Sequence, residues 1–151
     1  SIQAWFNFYP CPDTGISRQF LAEQTKMFKH YGMNVQAFFA GDENLRGPLH
    51  EGLPTLEYQR YYDPLASILE FKELGIDLLY LGDPGISERS LNQIKTYQDE
   101  DSLVLYTERA ENASEEMYNY ILGKHNQRPD PAEYVVRCED SRIHSVPMIT
   151  P

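Results

Sequence analysis

The chain has 151 residues, of which 41% are hydrophobic and 13% aromatic, as in folded globular domains and unlike disordered segments. Its formal net charge of −10 argues against a protein that binds the nucleic-acid backbone, because such proteins carry a basic face. No apolar run approaches the ~20 residues that cross a bilayer, and the first residues lack the basic region and cleavage site of a signal peptide. We therefore expect neither a nucleic acid nor a membrane as a partner.

Three segments are predicted to be buried strands, and each is followed by a loop and a helix. The strands are residues 2–8, 34–40 and 76–81, and the helices begin after the N-cap residues Ser17, Asp63 and Ser87. This alternation predicts βαβ units on a parallel sheet. Three units do not close a (βα)8 barrel, which typically has ~250 residues, and an open sheet exposes its edges. The pattern therefore indicates part of a longer α/β protein.

The pattern changes near residue 100, where we place a domain boundary. Beyond it the sequence predicts strands at residues 102–107 and 134–137 and a short helix at residues 114–122. Three arginines of this region could reach an anionic substrate from a second domain, but salt bridges or solvent exposure are the simpler interpretation. They are Arg128, Arg137 and Arg142.

Cysteine and histidine spacing gives no indication of a metal site. Cys11 and Cys138 show no CxxC spacing, and two idle thiols are a simpler interpretation than one disulfide. The four histidines are isolated from one another, without HxH or HExxH spacing. The sequence therefore predicts no metal and no cofactor.

Candidate site residues follow the predicted strands. In parallel α/β proteins, functional residues gather on the loops after the carboxyl ends of the strands. This rule selects Asn7 and Tyr9, the long loop of residues 42–60, and Asp83. Asn7 and Tyr9 could bind sugar hydroxyls or an acetamido group, although Tyr9 also suits a packed turn. Asp83 suits catalysis and a turn before Pro84 equally well.

The long loop has no helical or strand periodicity, and loops of this kind are usually functional or disordered. Arg46 and Arg60 are candidates for gripping a phosphate or carboxylate with paired hydrogen bonds. Glu51 and Glu57 are candidates for the acid–base chemistry of glycoside hydrolysis. Thr55 is a further candidate for substrate binding. The alternative is a solvated loop that carries ordinary surface charges.

Several strings of the sequence resemble one family. Residues 7–17, NFYPCPDTGIS, resemble the HNFYPRPxTGLS segment of the 6-phospho-N-acetylmuramidase family. Residues 46–60, RGPLHEGLPTLEYQR, resemble its RGPLxEGLPTLExHR segment, a string long enough to be quite specific. Residues 81–84 are similar to its strand-end GDP, and residues 126–142 resemble the opening of its C-terminal domain. The similarity runs over almost the whole chain.

The resemblance implies a partial TIM (βα) barrel, made of the later βα units, over residues 1–100. Residues 101–151 would be a linker and the start of a cyclophilin-like β domain. The implied activity is that of a cytoplasmic bacterial glycosidase of peptidoglycan recycling. It would cleave a small phosphosugar, the 6-phosphorylated MurNAc–GlcNAc disaccharide, into MurNAc 6-phosphate and GlcNAc.

Under the glycosidase hypothesis we rank the candidate residues. Glu51 is the first candidate for the catalytic carboxylate, followed by Glu57 and Asp83, whereas Arg46 and Arg60 would hold the anionic groups. Among the binding candidates, Asn7 would form hydrogen bonds to the substrate, and Tyr9 and Thr55 complete the set. Self-association of the chain is left open.

The sequence departs from the family pattern at three places. Phe6 stands where the family has His, Cys11 stands where it has Arg, and Tyr58 and Gln59 stand where a His is expected before Arg60. Because the first half of the barrel is also absent, we expect the 151-residue chain alone to be inactive. Two alternatives remain: a non-catalytic phosphosugar-binding module, and a TIM-barrel enzyme of different chemistry such as isomerisation or aldol cleavage.

Overall fold

The computed structural model describes residues 2–140, and the chain divides into two compact units, Ser1–Val104 and Leu105–Pro151. The first unit contains a parallel sheet whose three strands are neighbours in chain order: β1 (Gln3–Trp5), β2 (Asn34–Phe39) and β3 (Leu78–Leu81). The predicted α/β class and the predicted parallel sheet are therefore confirmed, although β1 is shorter than the strand expected at residues 2–8.

Three helices follow the strands of the first unit, and a short 3-10 helix, Glu57–Gln59, lies in the loop after β2. The helices are α1 (Arg18–His30), α2 (Pro64–Glu73) and α3 (Glu88–Glu100). Each begins at the predicted cap, because the side chains of Ser17, Asp63 and Ser87 accept hydrogen bonds from main-chain N–H groups in the first turn. Within residues 2–140, no helix is long and apolar enough to cross a membrane.

The core of the first unit lies between the helices and one face of the sheet. Val35, Ala37 and Phe39 of β2 point to this face and are buried with Leu21 of α1 and Phe71 of α2. Burying a side chain of this size stabilises the fold by roughly 1.5–3 kcal/mol. The packing of alternate β2 residues against two helices explains why helices α1 and α2 lie on the same side of the sheet.

The opposite face of the sheet carries an aromatic cluster, formed by Trp5 of β1, Phe38 of β2 and Tyr80 of β3. The Trp5 ring stacks on Tyr80 with centroids 6.0 Å apart, and Phe38 lies 5.6 Å from Trp5 and 5.8 Å from Tyr80. Trp5 is 63% exposed and Tyr80 is 43% exposed. Within the first unit, the helices therefore cover the sheet on one side only.

The second unit contains one helix, α4 (Glu115–Ile121), within its described residues 105–140. Arg128 and Arg137 both form ion pairs with Asp130, with N–O distances of 2.7 and 3.1 Å. These contacts match the structural interpretation of the two arginines, whereas Arg142 lies outside the described residues. Neither Cys11 nor Cys138 forms a disulfide, and Cys138 Sγ lies 3.5 Å from His125 Nδ1.

The strands expected after residue 100 are not present. Neither residues 102–107 nor residues 134–137 form a strand. Near the second segment there is only an isolated antiparallel bridge between Gln127 and Cys138, beside which the Arg128 N–H donates to the Arg137 carbonyl at 3.0 Å. An apolar run becomes a strand only when a neighbouring backbone completes its hydrogen bonds. No backbone segment of the described residues pairs with this run, and Leu103 and Leu105 stay more than half exposed.

Candidate active site

The loop after β2 threads between the carboxyl ends of β1 and β2. The Thr55 N–H donates to the carbonyl of Phe38, and the Phe38 N–H donates to Thr55 Oγ1, each at 2.9 Å. The same hydroxyl donates to the carbonyl of Asn7, also at 2.9 Å. Thr55 is fully buried, so its single hydroxyl hydrogen joins the two strand ends and is not offered to a substrate.

The loop after β1 runs along the same segment. The Tyr9 N–H donates to the Pro54 carbonyl at 3.0 Å, and the Ile16 N–H donates to the Thr55 carbonyl at 3.1 Å. The Glu57 N–H in turn donates to the Ile16 carbonyl at 3.2 Å. Residues 53–57 are thus held on both sides, and we call them the site floor.

Arg60 is bound on every donor of its guanidinium. Nε and Nη2 donate to the two carboxylate oxygens of Glu57, at 2.7 and 2.5 Å. Nη1 donates to the carbonyls of Tyr9 and Gly52, and Nη2 donates to the carbonyl of Cys11, at 2.9–3.0 Å. An arginine has five N–H donors, and all five are used in a residue that is 3% exposed. In this arrangement Arg60 has no donor left for a phosphate.

Glu57 completes the same network. Besides the two bonds from Arg60, its carboxylate accepts the N–H groups of Asp13 at 2.9 Å and Gly15 at 2.6 Å. The Arg60 hydrogen bond and these main-chain donors outweigh partial burial, and they lower the pKa of Glu57 to about 2. Glu57 is therefore ionised at neutral pH, and it carries no proton for a leaving group.

Asp83 joins the end of β3 to both ends of the long loop. Its Oδ2 accepts the N–H groups of Gly41 and Leu53, at 2.9 and 3.0 Å, and its Oδ1 accepts the N–H of Arg46 at 3.0 Å. The residue is 5% exposed. Three main-chain donors on one buried carboxylate are typical of a group that fixes a loop.

Gly82 is required where the site floor meets β3. A Cβ at this position would lie 2.2 Å from the Leu53 carbonyl oxygen and 2.7 Å from the Leu53 Cβ. Real Cβ atoms do not approach other atoms this closely, so only glycine allows Leu53 to sit against the strand end. In the family-like GDP string, Gly82 thus allows the close approach of Leu53, and Asp83 accepts the hydrogen bonds that hold the loop.

Glu51 protrudes from a sharply turned part of the loop. The residues on either side, His50 and Gly52, have left-handed backbone conformations with φ of 55° and 79°. Glu51 is half-buried, and its Oε2 accepts a hydrogen bond from the Tyr61 hydroxyl. In the described residues its carboxylate forms no ion pair, which distinguishes Glu51 from Glu57.

Arg46 and Asn7 offer unused donors near the strand ends. The Arg46 guanidinium lies 5.9 Å from the centroid of the Phe8 ring, a cation–π distance, and has no hydrogen-bond partner among residues 2–140. The exposed Asn7 accepts the Phe8 N–H at its Oδ1, at 2.9 Å, which leaves its amide nitrogen free to donate. Tyr9 is half-buried and contributes its main chain to the network of Arg60.

The described residues bring no group of three or more His, Cys, Asp or Glu side chains together as a metal site. Of the residues that surround the candidates, Tyr61 was not predicted. It stands among several tyrosines of an aromatic-rich chain, and nothing in its spacing marks it. Only the folded loop shows that its hydroxyl reaches Glu51.

Comparison with known families places this loop in context. Residues 1–96 match the family described as 6-phospho-N-acetylmuramidase, N-terminal. The chain belongs to this family. The matched range includes the site floor, Glu51, Arg46 and Asp83, so the arrangement described above lies within the part of the chain that matches this family. A comparison with curated proteins gave no match.

Two solved structures are similar to the chain. A conserved Enterococcus faecalis protein of unknown function is 38% identical, with a TM-score of 0.82. That match covers 91% of this chain and 38% of the relative. An uncharacterized B. cereus protein is 30% identical, with a TM-score of 0.52, over 59% of this chain and 26% of the relative. The chain therefore spans less than two fifths of the length of the E. faecalis relative.

Proposed function

We propose that this chain supplies part of the active site of a cytoplasmic 6-phospho-N-acetylmuramidase that acts in peptidoglycan recycling. The substrate is the 6-phosphorylated MurNAc–GlcNAc disaccharide, and the products are MurNAc 6-phosphate and GlcNAc. Family membership supports the activity, and the resemblance of residues 46–60 to the family's long motif supports the placement of the site.

One observation carries the assignment of roles. The motif contains two carboxylates and two guanidiniums, and Glu57 and Arg60 neutralise each other. Glu51 and Arg46 remain without an ion-pair partner in the described residues, and Arg46 is exposed while Glu51 is half-buried. A phosphosugar glycosidase needs a carboxylic acid at the leaving oxygen and a cation for the phosphate, and these two side chains fit those needs.

The proposed mechanism uses Glu51 as the general acid. A protonated Glu51 gives its proton to the glycosidic oxygen while the bond from that oxygen to the anomeric carbon breaks. Arg46 forms charge-assisted hydrogen bonds to an anionic group of the substrate, and the Asn7 amide donates to a sugar oxygen. The second catalytic group belongs to the remainder of the protein. Glu57, Asp83, Thr55 and Arg60 act by holding the loop in place.

We further propose that the first unit is part of a TIM barrel and that the second unit begins a cyclophilin-like domain. Both outer strands of the sheet have a free edge in the described residues, and the helices of the first unit do not cover the Trp5–Phe38–Tyr80 face. In a (βα)8 barrel, the helices also lie on the outer face while the inner face is filled by side chains of all strands. The greater length of the E. faecalis relative is consistent with additional strands.

The test is GlcNAc release by the full-length protein that contains this sequence. We expect release from the 6-phosphorylated disaccharide and much slower release from the unphosphorylated one. Glu51→Gln should lower kcat by about 10²–10⁴-fold, as loss of a general acid does. Glu43→Gln, an exposed carboxylate of the same loop, is the matched control. Equal rates on both sugars, or full activity of Glu51→Gln, would contradict the assignment.

Arg46 is tested in the same assay. Arg46→Ala should raise KM for the phosphorylated disaccharide by about tenfold and reduce the preference for it, because a charge-assisted contact is lost. Lys95→Ala, which removes an exposed cation from α3, should leave KM unchanged. An unchanged KM in Arg46→Ala would show that another group binds the phosphate.

A non-catalytic phosphosugar-binding module is the second candidate, favoured by the departures at Phe6 and Cys11. Such a module would bind the phosphorylated disaccharide without turnover, and Glu51→Gln would then leave binding unchanged. For the 151-residue chain alone we expect no turnover. GlcNAc release by it at the rate of the full-length protein would overturn that expectation.

A further inference from the structure

Tyr61 holds one oxygen of the proposed acid. The residue follows Arg60 directly, its side chain is largely exposed, and its hydroxyl donates to Glu51 Oε2. The hydrogen bond to the Glu51 carboxylate raises the pKa of the Tyr61 hydroxyl above its ordinary value of 10.0. Tyr61 therefore stays protonated at neutral pH and acts as the donor in this contact.

Hydrogen bonds hold the backbone on both sides of this contact, and Arg60 donates two of them. Arg60 Nη1 donates to the carbonyl of Gly52, the residue after Glu51, at 3.0 Å. The Arg60 N–H donates to the Glu57 carbonyl at 3.1 Å, and the Tyr62 N–H donates to the Gln59 carbonyl at 3.1 Å, so the main chain is held before and after Tyr61. The Tyr61 hydroxyl and the Glu51 carboxyl thus meet as two side chains on one rigid frame.

A donor on Oε2 determines where the proton of the acid resides. A protonated carboxyl group has one O–H and one carbonyl oxygen, and a neighbouring O–H donor favours the carbonyl form of the oxygen that it contacts. With Tyr61 on Oε2, the Glu51 proton is directed to Oε1. When that proton passes to the glycosidic oxygen, which also takes the electron pair of the broken bond to carbon, the Tyr61 hydroxyl stabilises the resulting carboxylate.

We propose that Tyr61 is a positioning residue that orients the Glu51 carboxyl group for proton donation to the leaving sugar. The inference rests on the proposed glycosidase function. Tyr61 contacts Glu51 and not the reacting atoms, so its effect should appear in kcat and should scale with the need of the leaving group for a proton.

The experiment compares Tyr61→Phe with Tyr62→Phe in the full-length protein. Tyr62 is the adjacent, half-exposed tyrosine, and its ring packs edge-on against Tyr58 with centroids 5.4 Å apart. Tyr61→Phe should lower kcat for the phosphorylated disaccharide by about tenfold with unchanged KM, because one hydrogen bond to a charged group is lost. Tyr62→Phe should keep kcat, and both variants should keep the melting temperature of the parent protein.

A second substrate separates positioning from a general structural effect. The 4-nitrophenyl glycoside of MurNAc 6-phosphate has a leaving group that departs without protonation. On this substrate the kcat of Tyr61→Phe should be close to that of the parent protein. The kcat of Glu51→Gln should recover in part. Equal losses on both substrates, or no loss on the disaccharide, would overturn the role of Tyr61.

These experiments distinguish a wrong role for Tyr61 from a wrong assignment of the glycosidase function. If Glu51→Gln loses turnover and Tyr61→Phe does not, only the role of Tyr61 is refuted. If Glu51→Gln keeps full turnover, or if the unmodified protein releases no GlcNAc, the assignment on which the inference rests is refuted first.

Discussion

Replacing Arg60 with alanine distinguishes a structural role from a role in substrate binding. The guanidinium makes two hydrogen bonds to Glu57 and three to main-chain carbonyls, and it is almost fully buried. Removing one partner of a buried ion pair costs about 3–5 kcal/mol. The Glu57 side chain is 27% exposed, so water compensates part of this cost, and we expect about 3 kcal/mol. For a unit of about 100 residues, that loss lowers the melting temperature by roughly 12–24 °C.

The assay is urea unfolding of the 151-residue chain, followed by far-UV circular dichroism. Arg60→Ala should shift the midpoint strongly, and Arg60→Lys should recover only part of the loss, because an ammonium group has three donors and no planar fork. Arg18→Ala, which removes a surface ion pair with Glu70, should leave the midpoint close to its original value. If Arg60→Ala unfolds at the parental urea concentration but the full-length variant no longer binds phosphosugar, Arg60 is an anion clamp and the structural reasoning is wrong.

Two further predictions concern the same region. The pKa of Glu57 is lowered from 4.5 to about 2, so its contribution to stability is complete above about pH 4.5 and is lost as the pH falls towards 2. In acid unfolding, Glu57→Gln should lack this pH-dependent loss of stability, whereas the parent protein and Glu73→Gln should show it. Parallel curves of stability against pH for all three proteins would contradict the prediction. Gly82→Ala should reduce the free energy of unfolding by about 1–3 kcal/mol in urea, because its Cβ would lie 2.2 Å from the Leu53 carbonyl oxygen. An unchanged midpoint would show that Leu53 is not seated against β3.

The fold elements that could be predicted are those encoded by neighbouring residues. The caps at Ser17, Asp63 and Ser87 use side chains that reach only two or three residues along the chain, and all three helices begin where expected. The buried β2 segment was recognisable because an apolar run between helices is typical of a parallel strand.

The roles within the site could not be predicted in the same way. Glu57 receives hydrogen bonds from Asp13 and Gly15, which lie more than 40 residues earlier and approach it only because the loop threads between β1 and β2. Nothing in the sequence distinguishes this carboxylate from Glu51, since both are single glutamates in one loop. The strand predicted at residues 102–107 was wrong for a related reason. The sequence pattern shows which side chains are apolar, but it does not show whether a neighbouring backbone is present to pair with the segment.

The site floor also determines where this protein could be changed without being unfolded. Each residue from 53 to 57 is tied through its backbone or a buried side chain to a neighbouring segment, so random substitution there would mostly sample unstable chains. Residues 48–50 are exposed, and the His50 N–H closes their turn onto the Arg46 carbonyl at 3.2 Å. A library at Leu49, whose side chain is exposed, would vary the surroundings of Glu51 on an unvarying base, whereas His50 has a left-handed backbone and its ring contacts the Leu45 carbonyl. The loop thus combines a fixed support with an exposed variable position, as in scaffolds chosen for directed evolution.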